Sequence, residues 1–420
     1  MPNRLRLSRT AATLVVLAGS TASAQIVPER AEQYFREARM LCESEGGQLW
    51  GVSLCGPMVF ADASSGAIAT NRTPPDADRP RALGYANAAM TWGGERWSTF
   101  VWPMIPHDDQ RSRARLMMHE LFHRVQPDLG LLVRAAPGGA DHLDTPEGRY
   151  WLQLEWRALA RALVMAGAAR TQAIGDALGF RHRRRQLGPD VAEIERISEV
   201  NEGLAQYTAT VTVAETDHEA RLAAVEQLRQ APEKESFVRT FAYSSGAAYG
   251  VLLDLYSPGW TRQFTATGNL GDLLKRVSGV AAASEVEIAA KRYGGSSLRV
   301  AEENREAEQQ ARIAELRARF VEGPVLRLPR GRDASFITTG VTPIPGVGTV
   351  FPQYRVNGPW GRLEASQVLV SQDGTVLTVP GPVTVTGSVA SGDSWSVTIS
   401  EGWTLRPGSR AGDLELVPKS

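Results

Sequence analysis

Cysteine is almost missing from this chain: Cys42 and Cys55 are the only two in 420 residues. No histidine lies within fifty residues of either, which argues against a shared metal site there, because two cysteines would need further ligands at short spacing. Net charge is missing too. Lys plus Arg and Asp plus Glu both number 46, so no basic footprint for nucleic acid is expected. Long apolar runs are also lacking: residues 11–19 form a run too short to span a bilayer, and no later segment is long enough. There is no internal repeat and no low-complexity tract. What remains is enough chain for two or three ordinary domains, with no nucleic-acid partner expected.

The N-terminus carries Arg4, Arg6 and Arg9, then the apolar run, then Ala22-Ser23-Ala24 before Gln25. A basic region, a short apolar region and an A-x-A site read as a signal peptide over residues 1–24, cut after Ala24. The competing reading is a retained N-terminal anchor. With cleavage, no integral membrane span is expected and the mature protein is secreted or periplasmic. In such an oxidising compartment Cys42 and Cys55 read as a disulfide, whose short loop contributes about 3 kcal/mol on the chain-entropy model.

Patterning then divides the chain. Residues 27–41 read as a helix, and residues 48–106 as a small set of strands, with 97–103 a strand bounded by Gly93-Gly94 and Pro106. Residues 107–321 are mostly helical. Periodicity places helices at 146–166 behind a Thr145 cap, at 171–185, at 190–214, at 219–230, at 245–256 and at 302–319. The run Arg181-His182-Arg183-Arg184-Arg185 is expected to be a solvated helix end. From 324 to 420 β-branched and polar residues alternate between Gly, Pro and Asp-Gly turns, which predicts a separate all-β domain, a small sandwich or barrel. The fold class is therefore α+β. The β-domain has no histidine, cysteine or clustered carboxylates, so no chemistry is assigned to it.

Residues 113–126 hold the chemistry. They contain His119-Glu120-Leu121-Phe122-His123, an HExxH pattern. Positions four apart share a helix face, so His119 and His123 can offer two imidazoles to one ion, and Glu120 can take a proton from water beside it. Met118, Leu121, Phe122 and Val125 form a separate apolar stripe, and Pro127 stops the helix. A catalytic zinc usually takes a third protein ligand. The metzincin solution is absent, because Gln126 and Leu129 stand where Gly and His would be needed.

Further on the chain reads Asn201-Glu202-Gly203-Leu204-Ala205. With the HExxH helix, this resembles the gluzincins, zinc peptidases that pair that helix with a Glu on a second one, often written NEGxA. The resemblance implies one zinc ion held by His119, His123 and Glu202, with Glu120 as general base. Gly203 and Ala205 would be small where the two helices meet around the ion. Glu202 lies 79 positions after His123, farther than in the best-known members, and the resemblance covers residues 113–207. More weakly, it makes strand 97–103 the edge that binds extended substrate, and Tyr243 the donor that steadies an oxyanion, with Tyr249 as a rival. Asn201 and Glu199 are candidates to orient ligands from behind.

The activity implied is hydrolysis of a peptide or protein substrate. A reading from another class is a non-catalytic envelope binding protein with a structural or vestigial zinc site; the retained Glu120 separates the two. Among ligands, His142 rivals Glu202, because it follows His123 by 19 positions beside Asp141 and Asp144. His107, His142, His182 and His218 otherwise read as ordinary polar surface residues.

Overall fold

The computed structural model describes residues 25–134, 139–337 and 340–419. The expected signal peptide, residues 1–24, lies outside the described residues. Helix α1 (Pro28–Glu45) starts on a proline, where a missing N–H costs nothing, and ends at Gly46 in the left-handed region at φ 58°. Near its end Cys42 is joined to Cys55, with Cα atoms 5.2 Å apart. The disulfide ties α1 to the entry of a sheet made of β1 (Met58–Asp62), β2 (Ala67–Thr70), β3 (Ala88–Trp92) and β4 (Glu95–Val101).

The strand order is β2-β1-β4-β3. β4 is therefore internal, and the expectation that strand 97–103 forms the edge is overturned. The reason is hairpin chemistry. The Gly93-Gly94 turn folds β3 back along one side of β4, while β1 pairs parallel on the other. Residues 97–101 are accordingly buried, and the open edge on this side is β3.

Helix α2 (Gln110–Val125) follows, its first turn capped by Asp109, which accepts from the Ser112 N–H at 3.0 Å. Met118, Leu121, Phe122 and Val125 are buried as the apolar stripe requires. The Ser98 hydroxyl of β4 donates to the Glu120 carbonyl at 2.9 Å, fixing the helix against the sheet.

The middle of the chain is helical. α3 (Pro146–Val164) and α4 (Gly167–Arg185) pack as a hairpin, and Thr145 caps α3 by accepting from Gly148 N–H. The helix expected over 190–214 is not continuous. α5 (Val191–Ser198) and α6 (Leu204–Val213) are separated by a wide π turn, Glu199–Gly203. α7 (Asp217–Gln230) and α8 (Phe241–Tyr256) come next, α8 starting a turn earlier than its periodicity suggested. The short helices α9 (Leu270–Ser278) and α10 (Val286–Lys291) were not foreseen, and α11 (Gly295–Arg317) closes the helical part.

Gly203 and Gly246 mark the tightest helix contact near the π turn. A Cβ on Gly246 would sit 2.2 Å from Gly203 Cα, too close for any side chain. Gly203 is thus small because α8 presses on it, and not, as the sequence suggested, to admit the HExxH helix.

The basic cluster at the end of α4 is a second correction. Arg181 and Arg184 are buried, and with Arg185 they face Glu155, Glu195 and Glu199 in a network of three cations and three carboxylates. Arg184 Nε donates to Glu195 at 2.6 Å and Arg181 Nη1 to Glu199 at 2.6 Å. Arg181, Arg184 and the three carboxylates are neutralised where water cannot reach them.

Among the described residues beyond 324, eleven strands form one hydrogen-bonded sheet. The long strand Gly361–Ser371 pairs with Gly348–Gly358 on one side. On the other side its two halves pair with different strands, Trp395–Ile399 and Val376–Pro380. Two arms therefore diverge around a core that includes Trp360, Leu363, Leu377 and Val397. Leu316 and Phe320, at the end of the helical part, pack onto Ile344, Val350 and Leu369 of this sheet. The architecture is α+β with an all-β C-terminal portion. Among the described residues no helix is long and apolar enough to cross a membrane.

Candidate metal centre

Helix α2 presents His119 and His123 on one face, four residues apart, and the π turn presents Glu202 opposite them. The ring nitrogens His119 Nε2 and His123 Nε2 are 2.9 Å apart. Glu202 Oε2 lies 3.3 Å from the first and 3.4 Å from the second. Two donors sharing a tetrahedral ion at about 2.0–2.1 Å stand about 3.4 Å apart, so the triangle is of the right size.

Its protonation is set from behind. Gln126 is fully buried, and its amide NH₂ donates to the carbonyls of Val200 (2.9 Å), Asn201 (3.1 Å) and Leu131 (3.2 Å). Its Oε1 is left to accept from His123 Nδ1 at 2.8 Å. Likewise Gln206 donates to Gln227 at 2.7 Å and turns its Oε1 to His119 Nδ1 at 3.2 Å. Both rings thus carry their hydrogen on Nδ1 and turn an Nε2 lone pair inward. Two lone pairs and a carboxylate oxygen converge with no hydrogen of their own between them. Such a cluster could hold a cation. Comparison with protein-family profiles, curated proteins and solved structures finds no match.

Burial would raise Glu202, but the two imidazoles beside it outweigh burial and hold its carboxyl well below the usual range. Burial keeps His119 below its ordinary value. At His123 burial is outweighed by the Glu202 hydrogen bond and by the charge of Glu120, which raise it.

Glu120 sits beside the triangle with its side chain buried, and its Oε2 has no hydrogen-bond partner among the described residues. Burial pushes its carboxyl up to about 7. A buried carboxyl oxygen without a partner needs an explanation in function. Tyr243, at the start of α8, stacks on the His119 ring with centroids 5.4 Å apart and planes 7° from parallel. Burial and the neighbouring Glu202 both push its phenol well above its ordinary value, so it stays a hydrogen-bond donor at neutral pH. His119, Glu120, Gln206 and Tyr243 line one open cleft of 540 Å³ together with Asn87, Met104 and Arg115. A cavity of 620 Å³ lies elsewhere, lined by Tyr207 and Asp254, and contains none of the candidate ligands.

Other residues singled out from sequence lie away from the triangle. Tyr249 is buried and donates to Glu155 at 2.7 Å, inside the Arg–Glu network, so only Tyr243 of the two tyrosines lines the cleft. Glu199 is taken by Arg181 and does not touch the ligands. The π turn explains this, since its i→i+5 bond from Leu204 N–H to Glu199 widens the turn and separates the two glutamates in direction. The Asn201 side chain grips the backbone of Val133 on both sides, donating to its carbonyl at 2.8 Å and accepting from its N–H at 3.0 Å. It supports Gln126 only through its own carbonyl. His142 meets Glu195 at 3.0 Å and belongs to the buried network, so it is neither a ligand nor an ordinary surface residue. His107 is also packed, stacked on Tyr34 and against Trp102. His182 lies on the surface beside Gln186, and His218 is exposed.

The residues that sequence reasoning missed are Gln126 and Gln206. Each stands at a helical interval from a ligand, Gln126 three after His123 and Gln206 four after Glu202. That spacing was a usable signal.

Proposed function

We propose that the protein is a zinc-dependent hydrolase that cuts peptide bonds, with His119, His123 and Glu202 as metal ligands and Glu120 as general base. The observation that carries the proposal is the convergence of three hydrogen-free donor atoms beside the unpartnered Glu120 Oε2. A set of two imidazoles and one carboxylate, leaving positions free for other ligands, suits zinc in a catalytic setting. A purely structural site has no use for a buried, unpaired carboxyl at its side.

Bound zinc supplies Lewis-acid polarisation of the scissile carbonyl and makes nearby water more acidic. The chain's own residues do the rest. Gln126 and Gln206 keep both imidazoles in the ligating tautomer. Glu120, held near neutrality by burial, takes a proton from the attacking water and hands it to the leaving amine. Tyr243 keeps its proton and donates to the oxygen on which negative charge develops. Extended substrate adds as a strand to the open edge of β3, which begins next to Asn87 on the cleft wall. The Cys42–Cys55 disulfide supports an oxidising location, secreted or periplasmic.

The test is metal content with peptide-library cleavage, with and without a chelator, on wild type and Glu120→Gln. Glu120→Gln is expected to hold one zinc per chain and lose about 10²-fold or more of its hydrolysis. Hydrolysis that survives in that variant refutes the mechanism.

A further inference from the structure

One cation in the cleft has no carboxylate partner. Arg115 stands four residues before His119 on α2, so both side chains leave the helix on the same face. It lines the cleft with His119, Glu120 and Tyr243. Its hydrogen bond is made from Nη2 to the Ser112 hydroxyl, at 3.3 Å. That hydroxyl in turn donates to Asp109 at 2.6 Å. Among the described residues no carboxylate lies within ion-pair distance of Arg115. Two positions away, Arg113 is gripped by both oxygens of Glu37. Asp109, the nearest acid on the same helix end, is lowered first by its bonds with Ser112 and only last by the charge of Arg115.

The charge balance of the cleft is therefore open. A half-buried guanidinium facing a cleft offers a rigid fork that matches a carboxylate.

We infer that Arg115 makes the cleft specific for substrates bearing a carboxylate close to the bond that is cut. This inference rests on the hydrolase reading above and names its substrate class. Four residues of helix rise about 6 Å, and an extended peptide advances about 3.3–3.6 Å per residue, so the carboxylate lies within about two residues of the reacting carbonyl. Two sources satisfy that chemistry. One is the α-carboxylate of a chain end, which makes the enzyme trim C-termini. The other is an Asp or Glu side chain inside the chain.

The experiment uses the full mature protein, zinc-loaded and carrying Glu120→Gln so that peptides bind without turnover. Three matched peptides are titrated by calorimetry: a free C-terminal acid, its C-terminal amide, and an amide with Asp placed near the expected bond. The acid, the Asp peptide or both bind about 10- to 100-fold more tightly than the neutral amide, and which of them does so identifies the source. Adding Arg115→Gln abolishes the preference, while Arg115→Lys keeps part of it, since the charge remains but the fork is lost. Zinc content and thermal melting confirm that both variants are folded.

Equal binding of all three peptides overturns the inference, as does a preference that survives in Arg115→Gln or an absence of binding by any of them. Hydrolysis by wild type is scored separately. A preference without hydrolysis sinks the hydrolase reading and leaves the carboxylate site standing, whereas hydrolysis without a preference does the reverse.

Discussion

Replacing Gln126 by leucine removes the acceptor for His123 Nδ1–H and the donors that satisfy three backbone carbonyls. Two separable losses follow. With Oε1 gone, His123 is free to move its hydrogen to Nε2 and to turn its ring, which costs about 10- to 100-fold in zinc affinity. With the NH₂ gone, the buried carbonyls of Leu131 and Val200 and the half-buried one of Asn201 lose a partner, which costs about 2–4 kcal/mol of stability. Gln126→Glu separates the two, because it keeps an acceptor for His123 but cannot donate. It is expected to destabilise the fold while holding zinc more tightly than Gln126→Leu does. Asn201→Ala is the control from the neighbouring position. It frees the Val133 backbone but leaves the Asn201 carbonyl, so zinc affinity stays within about threefold of wild type. Competition with a chromophoric chelator gives the affinities, and thermal melts give the stabilities. A folded Gln126→Leu protein whose zinc affinity is unchanged refutes the reasoning that the glutamines set the tautomers.

Three further outcomes can be checked. Zinc affinity falls with acid: His123 is raised, so a proton competes with metal from above the ordinary histidine range, and below that point the apparent Kd worsens about tenfold per pH unit. The Glu202 carboxyl, held well below its usual range, adds no proton of its own near neutrality, and a zinc affinity that does not change as the pH falls would contradict this picture. Reducing Cys42–Cys55 lowers stability by about 3 kcal/mol, read by denaturant melts with and without reductant, while thiol counting on native protein should find none free. Arg184→Met leaves the buried carboxylates Glu155, Glu195 and Glu199 facing two arginines in place of three and costs about 3–5 kcal/mol, seen as a fall in Tm; a neutral result would mean that water reaches the network.

Much of the candidate site was legible because it is local. The HExxH interval puts two imidazoles on one helix face wherever that helix goes, and Thr145 before Pro146 caps α3 from four residues of sequence. Glu202 was readable from the residues around it, although the chain between had to fold before it could meet His119. The β-domain showed itself by alternation and turns, and the Cys42–Cys55 pair by isolation and nearness. Tertiary structure decided what depends on partners far away along the chain. The run at 181–185 looks solvated until Glu155 of α3 and Glu195 and Glu199 of α5 and its π turn arrive beside it. Strand 97–101 looks like an edge until β1 pairs with its free side. Glu199 looks like a neighbour of Glu202 until a single widened turn sends it to Arg181. Period and spacing act within one element, but charge is neutralised, edges are covered and tautomers are chosen by whichever group the fold brings alongside.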